Sequence, residues 1–262
     1  VALDTDIQVV ITGLTARVEV MQVFQNTGGH WAEAVYRYPL PVDAAVDRMR
    51  VYVGERVLEG EIQEKAEARR QYQQAKSSGK VATLVEQQRA NQFETRLANI
   101  APGDKIGVSI SFLARVDYRD GSFSLQIPFT STPRWETGEA RAVPVVFTAG
   151  PGEGVYQGME DHRLSIDVDL RSGMTLASIE SRYHDVDIHP SLDGYRVFLA
   201  DPDDRADRVF ELNWTPEYGA IPESTLTTFD DGDAVYVQLM LAPPLAEAIS
   251  PTTREVVFII DT

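Results

Sequence analysis

Apolar residues fall at every second position along most of this chain, and that alternation limits the fold more than any other feature. It recurs in Met49, Val51 and Val53, in Ile106, Val108, Ile110 and Phe112, in Phe123, Leu125 and Ile127, and in Leu164, Ile166, Val168 and Leu170. Successive side chains of a strand point to opposite faces, so each run puts its apolar residues on one face, as half-buried antiparallel sheets require. Residues 195–199, 209–214 and 235–241 read as further strands, with Asp193-Gly194 and Asp231-Gly232 as turns. The predicted class is all-β, mainly antiparallel β-sandwiches.

Three segments break the rhythm. Residues 61–76 are rich in Glu, Gln, Ala, Arg and Lys, and Ile62, Ala66, Tyr72 and Ala75 share one helical stripe. Ser77, Ser78 and Gly79 then supply a stop, which predicts one amphipathic helix lying on a sheet with its charges in solvent. From Pro128 to Gly158 the chain is dense in Pro and Gly, which predicts a domain boundary there. Lastly, Val256, Val257, Phe258, Ile259 and Ile260 are apolar without interruption. A strand apolar on both faces is what a parallel strand covered by helices on each side looks like. The expected organisation is a first β-domain over 1–135, a second β-sandwich over 136–253, and the opening strand of an α/β domain over 254–262.

Composition excludes several function classes. With 40 acidic against 24 basic residues the net charge is -16, so phosphate backbones and anionic lipid surfaces are repelled. Neither nucleic acid nor a membrane surface is an expected partner. No cysteine is present, which removes disulfides, thiolate metal sites and cysteine nucleophiles together. No apolar run approaches the roughly 20 residues of a membrane span, and the start lacks a basic stretch before an apolar one. The expectation is an exported protein whose signal has been removed.

Six ordered blocks carry a family resemblance. They are Tyr36-x-Tyr38-Pro39-Leu40-Pro41 with Ala44-Ala45-Val46; Glu61-x-x-Glu64-Lys65-x-Glu67-Ala68; Tyr72-x-x-Ala75; Leu84-x-Glu86-Gln87 with Phe93; Asn99-Ile100; and Pro102-Gly103 leading into the alternating strand to Phe112. In this order they resemble the VIT domain of inter-alpha-trypsin inhibitor heavy chains. The flanking strands, with Thr132-Pro133-Arg134, are similar to bacterial members, some of which resemble sortase-target surface proteins of marine proteobacteria. In that group a VIT domain precedes a von Willebrand A domain, and residues 254–262 look like the first strand of one.

The resemblance implies a non-enzymatic, extracellular or cell-surface module that supports and orients an A domain and mediates protein or cell-surface contacts. The rival reading is a hydrolase or a protease-inhibitor-like protein with an unrecognised site. A further option is that the VIT domain itself binds a protein through Arg69, Arg70, Arg89 and Arg96. Asp261 matches the first position of the A domain's metal-ion-dependent adhesion site, Asp-x-Ser-x-Ser, at a strand end where cations sit in open α/β sheets. Alone it is not expected to bind metal. No cofactor is expected for residues 1–262, and Mg²⁺ or Ca²⁺ for a complete A domain.

Other candidates come from the residues directly. His184 and His189 lie close to Asp185 and Asp187, but in a strand they point to opposite sides, so a polar edge strand is expected rather than a metal cluster. Asp201, Asp203 and Asp204, and Asp230, Asp231 and Asp233, form two acidic turns; neither has the spacing of a calcium loop, although calcium there is left open. Gly28-Gly29-His30 reads as a turn between strands. Trp31, Trp135 and Trp214 read as core or interface anchors rather than a sugar platform.

Overall fold

The computed structural model describes residues 4–41, 43–54, 56–59, 74, 77, 82–89, 92–129, 145–148, 154–156, 163–206, 208–219, 222–230 and 232–242. Nearly all of them are in strands. The first ten are β1 (Asp4–Thr12), β2 (Thr15–Gln25), β3 (Ala32–Pro39), β4 (Ala45–Val53), β5 (Arg56–Glu59), β6 (Ala82–Arg89), β7 (Gln92–Ile100), β8 (Lys105–Arg115), β9 (Asp117–Arg119) and β10 (Ser122–Ile127). The rest are β11 (Val145–Thr148), β12 (Gly154–Tyr156), β13 (Arg163–Arg171), β14 (Leu176–Ser181), β15 (Val186–Ser191), β16 (Gly194–Leu199), β17 (Phe210–Pro216), β18 (Glu223–Asp230) and β19 (Val235–Ala242).

They form an eight-stranded sheet in the order β15-β16-β13-β1-β2-β8-β4-β5, a five-stranded sheet β12-β11-β3-β7-β6, a four-stranded sheet β14-β17-β10-β9, and the separate hairpin β18-β19. The alternation read from the sequence is realised in the long sheet. In β1 and β2 each second residue is buried, so Ile7, Val9 and Ile11 lie on the same face as Val18, Val20 and Phe24. Apolar residues of the long, five-stranded and four-stranded sheets meet in one hydrophobic cluster. Covering that shared face is what stabilises the fold, at roughly 25 cal/mol per Å² of apolar surface removed from water.

The expected second sandwich over 136–253 does not stand apart. β13 runs parallel to β1, from Asp4 opposite Arg163 to Thr12 opposite Arg171, and carries β16 and β15 into the long sheet. β17 likewise pairs with β10, with Trp214 opposite Phe123 and Phe210 opposite Ile127. A Pro- and Gly-rich stretch marks where strand rhythm stops, but whether the chain then starts a new core depends on which edges are still open. Here the free edge of β1 accepts β13, and the two halves share a core. The helix expected over 61–76 lies outside the described residues except Gln74; Gln74 and Ser77 are helical, and Ser77 Oγ donates to the Gln74 carbonyl at 3.0 Å. The opening strand expected over 254–262 also lies outside the described residues.

Candidate interaction surface

The hairpin β18–β19 reverses the usual arrangement. Its register sets Leu226 opposite Leu239, Ser224 opposite Leu241, Thr228 opposite Val237, and Asp230 opposite Val235. Residues directly opposite share a face, and on this one Leu226, Val235, Val237, Leu239 and Leu241 are each 60–64% exposed. The other face holds Thr225, Thr227, Gln238, Met240 and Ala242, all of which turn towards the body. Two glycines record how closely it approaches. Gly13 and Gly173 both have positive φ, and a Cβ there would collide with the Gln238 side-chain amide and with Thr225 Oγ1 respectively. Between hairpin and body runs a cleft of about 1640 Å³ with Arg17, Arg171, Tyr195 and Thr227 in its lining. Near the hairpin turn Phe229 and Tyr236 are also exposed, their ring centroids 6.3 Å apart.

The second notable group is buried. His184 Nδ1 and Asp204 Oδ2 are 2.7 Å apart, and the imidazole lies between the rings of Phe129 and Phe210 at 6.3 and 5.9 Å. Asp204 Oδ1 accepts from the Arg205 N–H at 2.7 Å and from Arg208 Nη2 at 3.2 Å, while Arg208 Nε donates to the Tyr183 carbonyl at 2.7 Å. Burial by itself would raise the Asp204 pKa, but the His184 hydrogen bond, helped by the Arg205 N–H and by the charges of His184 and Arg208, leaves it below the usual carboxylate value. The cluster ties the 201–208 loop to the turn before β15. It does not form a catalytic triad. Ser181 Oγ and His184 Nε2 are both buried without a partner among the described residues, so they do not bond each other, and the imidazole side chain has no exposed surface for a substrate to reach.

A third network holds the sheets together. Tyr36 donates to Gln22 Oε1 at 2.7 Å, and Gln22 Nε2 donates to Thr5 Oγ1 at 2.9 Å, all three residues being buried. Burial, and secondarily the neighbouring Tyr38, pushes the Tyr36 pKa well above the ordinary phenol value.

The residues singled out in the sequence distribute as follows. Asp261, Trp135, Arg69 and Arg70 lie outside the described residues, as does the side chain of Arg89. Arg96 is exposed on β7. His189 is exposed on β15, the outer strand of the long sheet, as the edge-strand reading expects, whereas His184 lies outside the strand, buried in the turn before it, so that reading fails for His184 and the two do not converge. In the 201–204 turn Asp201 Oδ1 accepts from the Asp203 N–H at 2.9 Å and Asp204 faces His184, so two of its three carboxylates already serve the fold. No group of three His, Asp or Glu side chains able to hold a metal occurs among the described residues. The 28–30 turn is confirmed: Asn26 Nδ2 donates to the carbonyls of His30, Ile100 and Ala101, and Asn26 Oδ1 accepts from the Gly28 N–H. Trp214 is a core anchor stacked on Phe123 at 5.7 Å, whereas Trp31, expected as an anchor, is 63% exposed beyond that turn. The open hairpin face is not legible in the sequence, although the alternation of Val235, Val237, Leu239 and Leu241 is; nothing in a single sequence says which face is covered.

Comparison with known proteins agrees with the motifs. The chain is 30% identical over 130 residues to the mouse protein mono-ADP-ribosyltransferase PARP4, covering 50% of this chain and 7% of that protein. It is 26% identical over 135 residues to the rat von Willebrand factor A domain-containing protein 5A, covering 50% of this chain and 16% of that protein. The chain thus spans only a small part of the relatives it matches. Among solved structures, the M1 zinc metallopeptidase of Deinococcus radiodurans superposes with a TM-score of 0.37 at 10% identity, covering 95% of this chain and 50% of that one, too loosely to carry an argument. The model of the vault protein inter-alpha-trypsin domain matches residues 2–112, the span that contains the motif blocks, strands β1 to β7 and most of β8. Residues 2–112 of this chain are therefore similar to the VIT domain.

Proposed function

We propose that the chain is a non-enzymatic structural and adhesive module of an exported, bacterial cell-surface protein, in which a VIT-containing β-body supports and orients a von Willebrand A domain. The observation that carries this reading is the coincidence, in one chain, of a VIT match over 2–112 and a terminal run, 254–262, that resembles the first strand of an A domain. Relatives that include a protein named for its von Willebrand A domain point the same way. Ligand recognition then belongs to the A domain. There Asp261 is the first carboxylate of a Mg²⁺ or Ca²⁺ site whose oxygens suit a hard cation, and the partner is a protein or another cell-surface ligand. Resemblance to sortase-target proteins suggests covalent attachment to the cell surface. The transferase activity in the name of the mouse relative stays with that protein, 93% of which lies outside the match.

The test has two steps. The codons that follow Thr262 should supply the serines of Asp-x-Ser-x-Ser, and the longer product should bind its protein ligand in Mg²⁺ and release it in EDTA. A continuation without those serines, or binding indifferent to EDTA, would remove the reading. Turnover of peptide or ester substrates that survives His184→Ala and grows with protein purity would favour the rival enzyme reading.

A further inference from the structure

We propose that the outward face of the β18–β19 hairpin is the seat of the α/β domain that follows it in the chain. This rests on the reading above. A hairpin alone is marginal in water, and one that turns five large apolar side chains outward exposes on the order of 500 Å², the upper range for a patch on a monomer. Beside the aliphatics stand Ser224 and Thr228, and the one acidic register position on that face is Asp230, opposite Val235 at the turn end. Such a surface, apolar along its length with its one acidic register position at the turn end, has the composition of an interface core with a polar rim.

Three observations decide the occupant. First, β19 ends at Ala242 and leads straight into the residues that precede 256–260, so whatever that run belongs to is tethered at the foot of this face. Second, residues 243–255 reach at most about 45 Å when extended, more than the roughly 27 Å of an eight-residue strand, so a domain begun at 256 can lie back over the whole hairpin. A tether this short places it at an effective concentration in the millimolar range, which no free partner matches. Third, a second copy is disfavoured, because two chains of net charge -16 repel each other. On the inner side Thr225 approaches Gly173 and Gln238 approaches Gly13 closely, so the apolar face is the one left for the next domain.

The chain contains no cysteine, so a single introduced thiol reports alone. Leu239→Cys and, as a milder variant, Ser224→Cys are placed in the 262-residue chain and in the longer product that continues past Thr262. Alkylation by iodoacetamide is followed and normalised to the denatured rate. Both thiols are expected to react freely in the 262-residue chain and at least tenfold more slowly in the longer product. Equal rates in the two overturn the proposal. So does slow reaction in the 262-residue chain that speeds up on dilution, because a second copy would then be the cover. Mg²⁺ binding by the longer product is measured in parallel. A product that binds Mg²⁺ but leaves both thiols open defeats the seat alone, whereas one that lacks an A domain defeats the functional reading and the seat together.

Discussion

The long sheet and the β18–β19 hairpin are written in the same pattern and end in opposite states. In β1 the apolar set Ile7, Val9 and Ile11 is buried and the polar set faces water. In β19 the apolar set Val235, Val237, Leu239 and Leu241 is exposed, while Gln238 and Met240 turn towards the body. Alternation states which residues share a face, because side chains of a strand point alternately up and down. It does not state which face another layer covers. In the long sheet that layer is supplied by the shorter sheets within the described residues; at the hairpin it is not.

The largest contrast is expected from one truncation made in both places. Ile110→Ala, in the covered sheet, should cost about 3–4 kcal/mol and lower the Tm by roughly 6–15 °C, whereas Leu239→Ala should change stability by less than about 0.5 kcal/mol. Urea unfolding followed by circular dichroism separates the two; a cost above about 2 kcal/mol at Leu239 would break the comparison and show that the hairpin face is covered in solution.

Polar positions sharpen the contrast. His184→Ala strands the buried Asp204 carboxylate with only Arg208 and the Arg205 N–H, and should cost about 3 kcal/mol. The pH dependence has a definite sign. Because the Asp204 pKa is lowered in the folded protein, its contribution is complete above the ordinary carboxylate value of about 4 and is lost as pH falls through the lowered one. Asp204→Asn should therefore flatten the acid limb of the stability profile, and an unchanged limb would mean the pair is not formed. At the alkaline end the raised pKa of Tyr36 works the other way. Its contribution is intact below about pH 10 and is lost as pH rises beyond, since the unfolded chain ionises first.

A smaller effect is expected from Tyr36→Phe, which leaves Gln22 Oε1 unpaired in the core and should cost about 1–3 kcal/mol, measured by the same unfolding experiment. Thr228→Val on the open hairpin face should cost nothing measurable, being exposed. Smallest of all is Leu239→Glu, expected to leave the Tm of the 262-residue chain unchanged while reducing hydrophobic dye binding; an unchanged dye signal would place the exposed apolar surface elsewhere.

Much of the architecture was legible in the chain. The runs at 106–112, 123–127 and 164–170 are strands because their apolar residues recur with period two, and β8, β10 and β13 contain them. The Asn26 to Trp31 turn and the VIT motifs were readable for the same local reason: turn chemistry and ordered blocks are properties of short segments. His184 and Asp204 stand out singly in the sequence but not as partners, since twenty positions separate them and the Asx turn at Asp201 that precedes Asp204 is a matter of local geometry.

The sequence by itself determined that this protein is made of strands, that it is strongly acidic and free of cysteine, and that residues 2–112 are similar to the VIT domain. Tertiary structure alone decided the pairing of β1 with β13, which folds the expected second sandwich into the first sheet, and the outward turn of the hairpin's apolar face. The physical reason is one of range. Periodicity and turn preference act over a few residues and are written locally, whereas sheet edges and covered faces are chosen by whatever distant strand can close the backbone hydrogen bonds and exclude water.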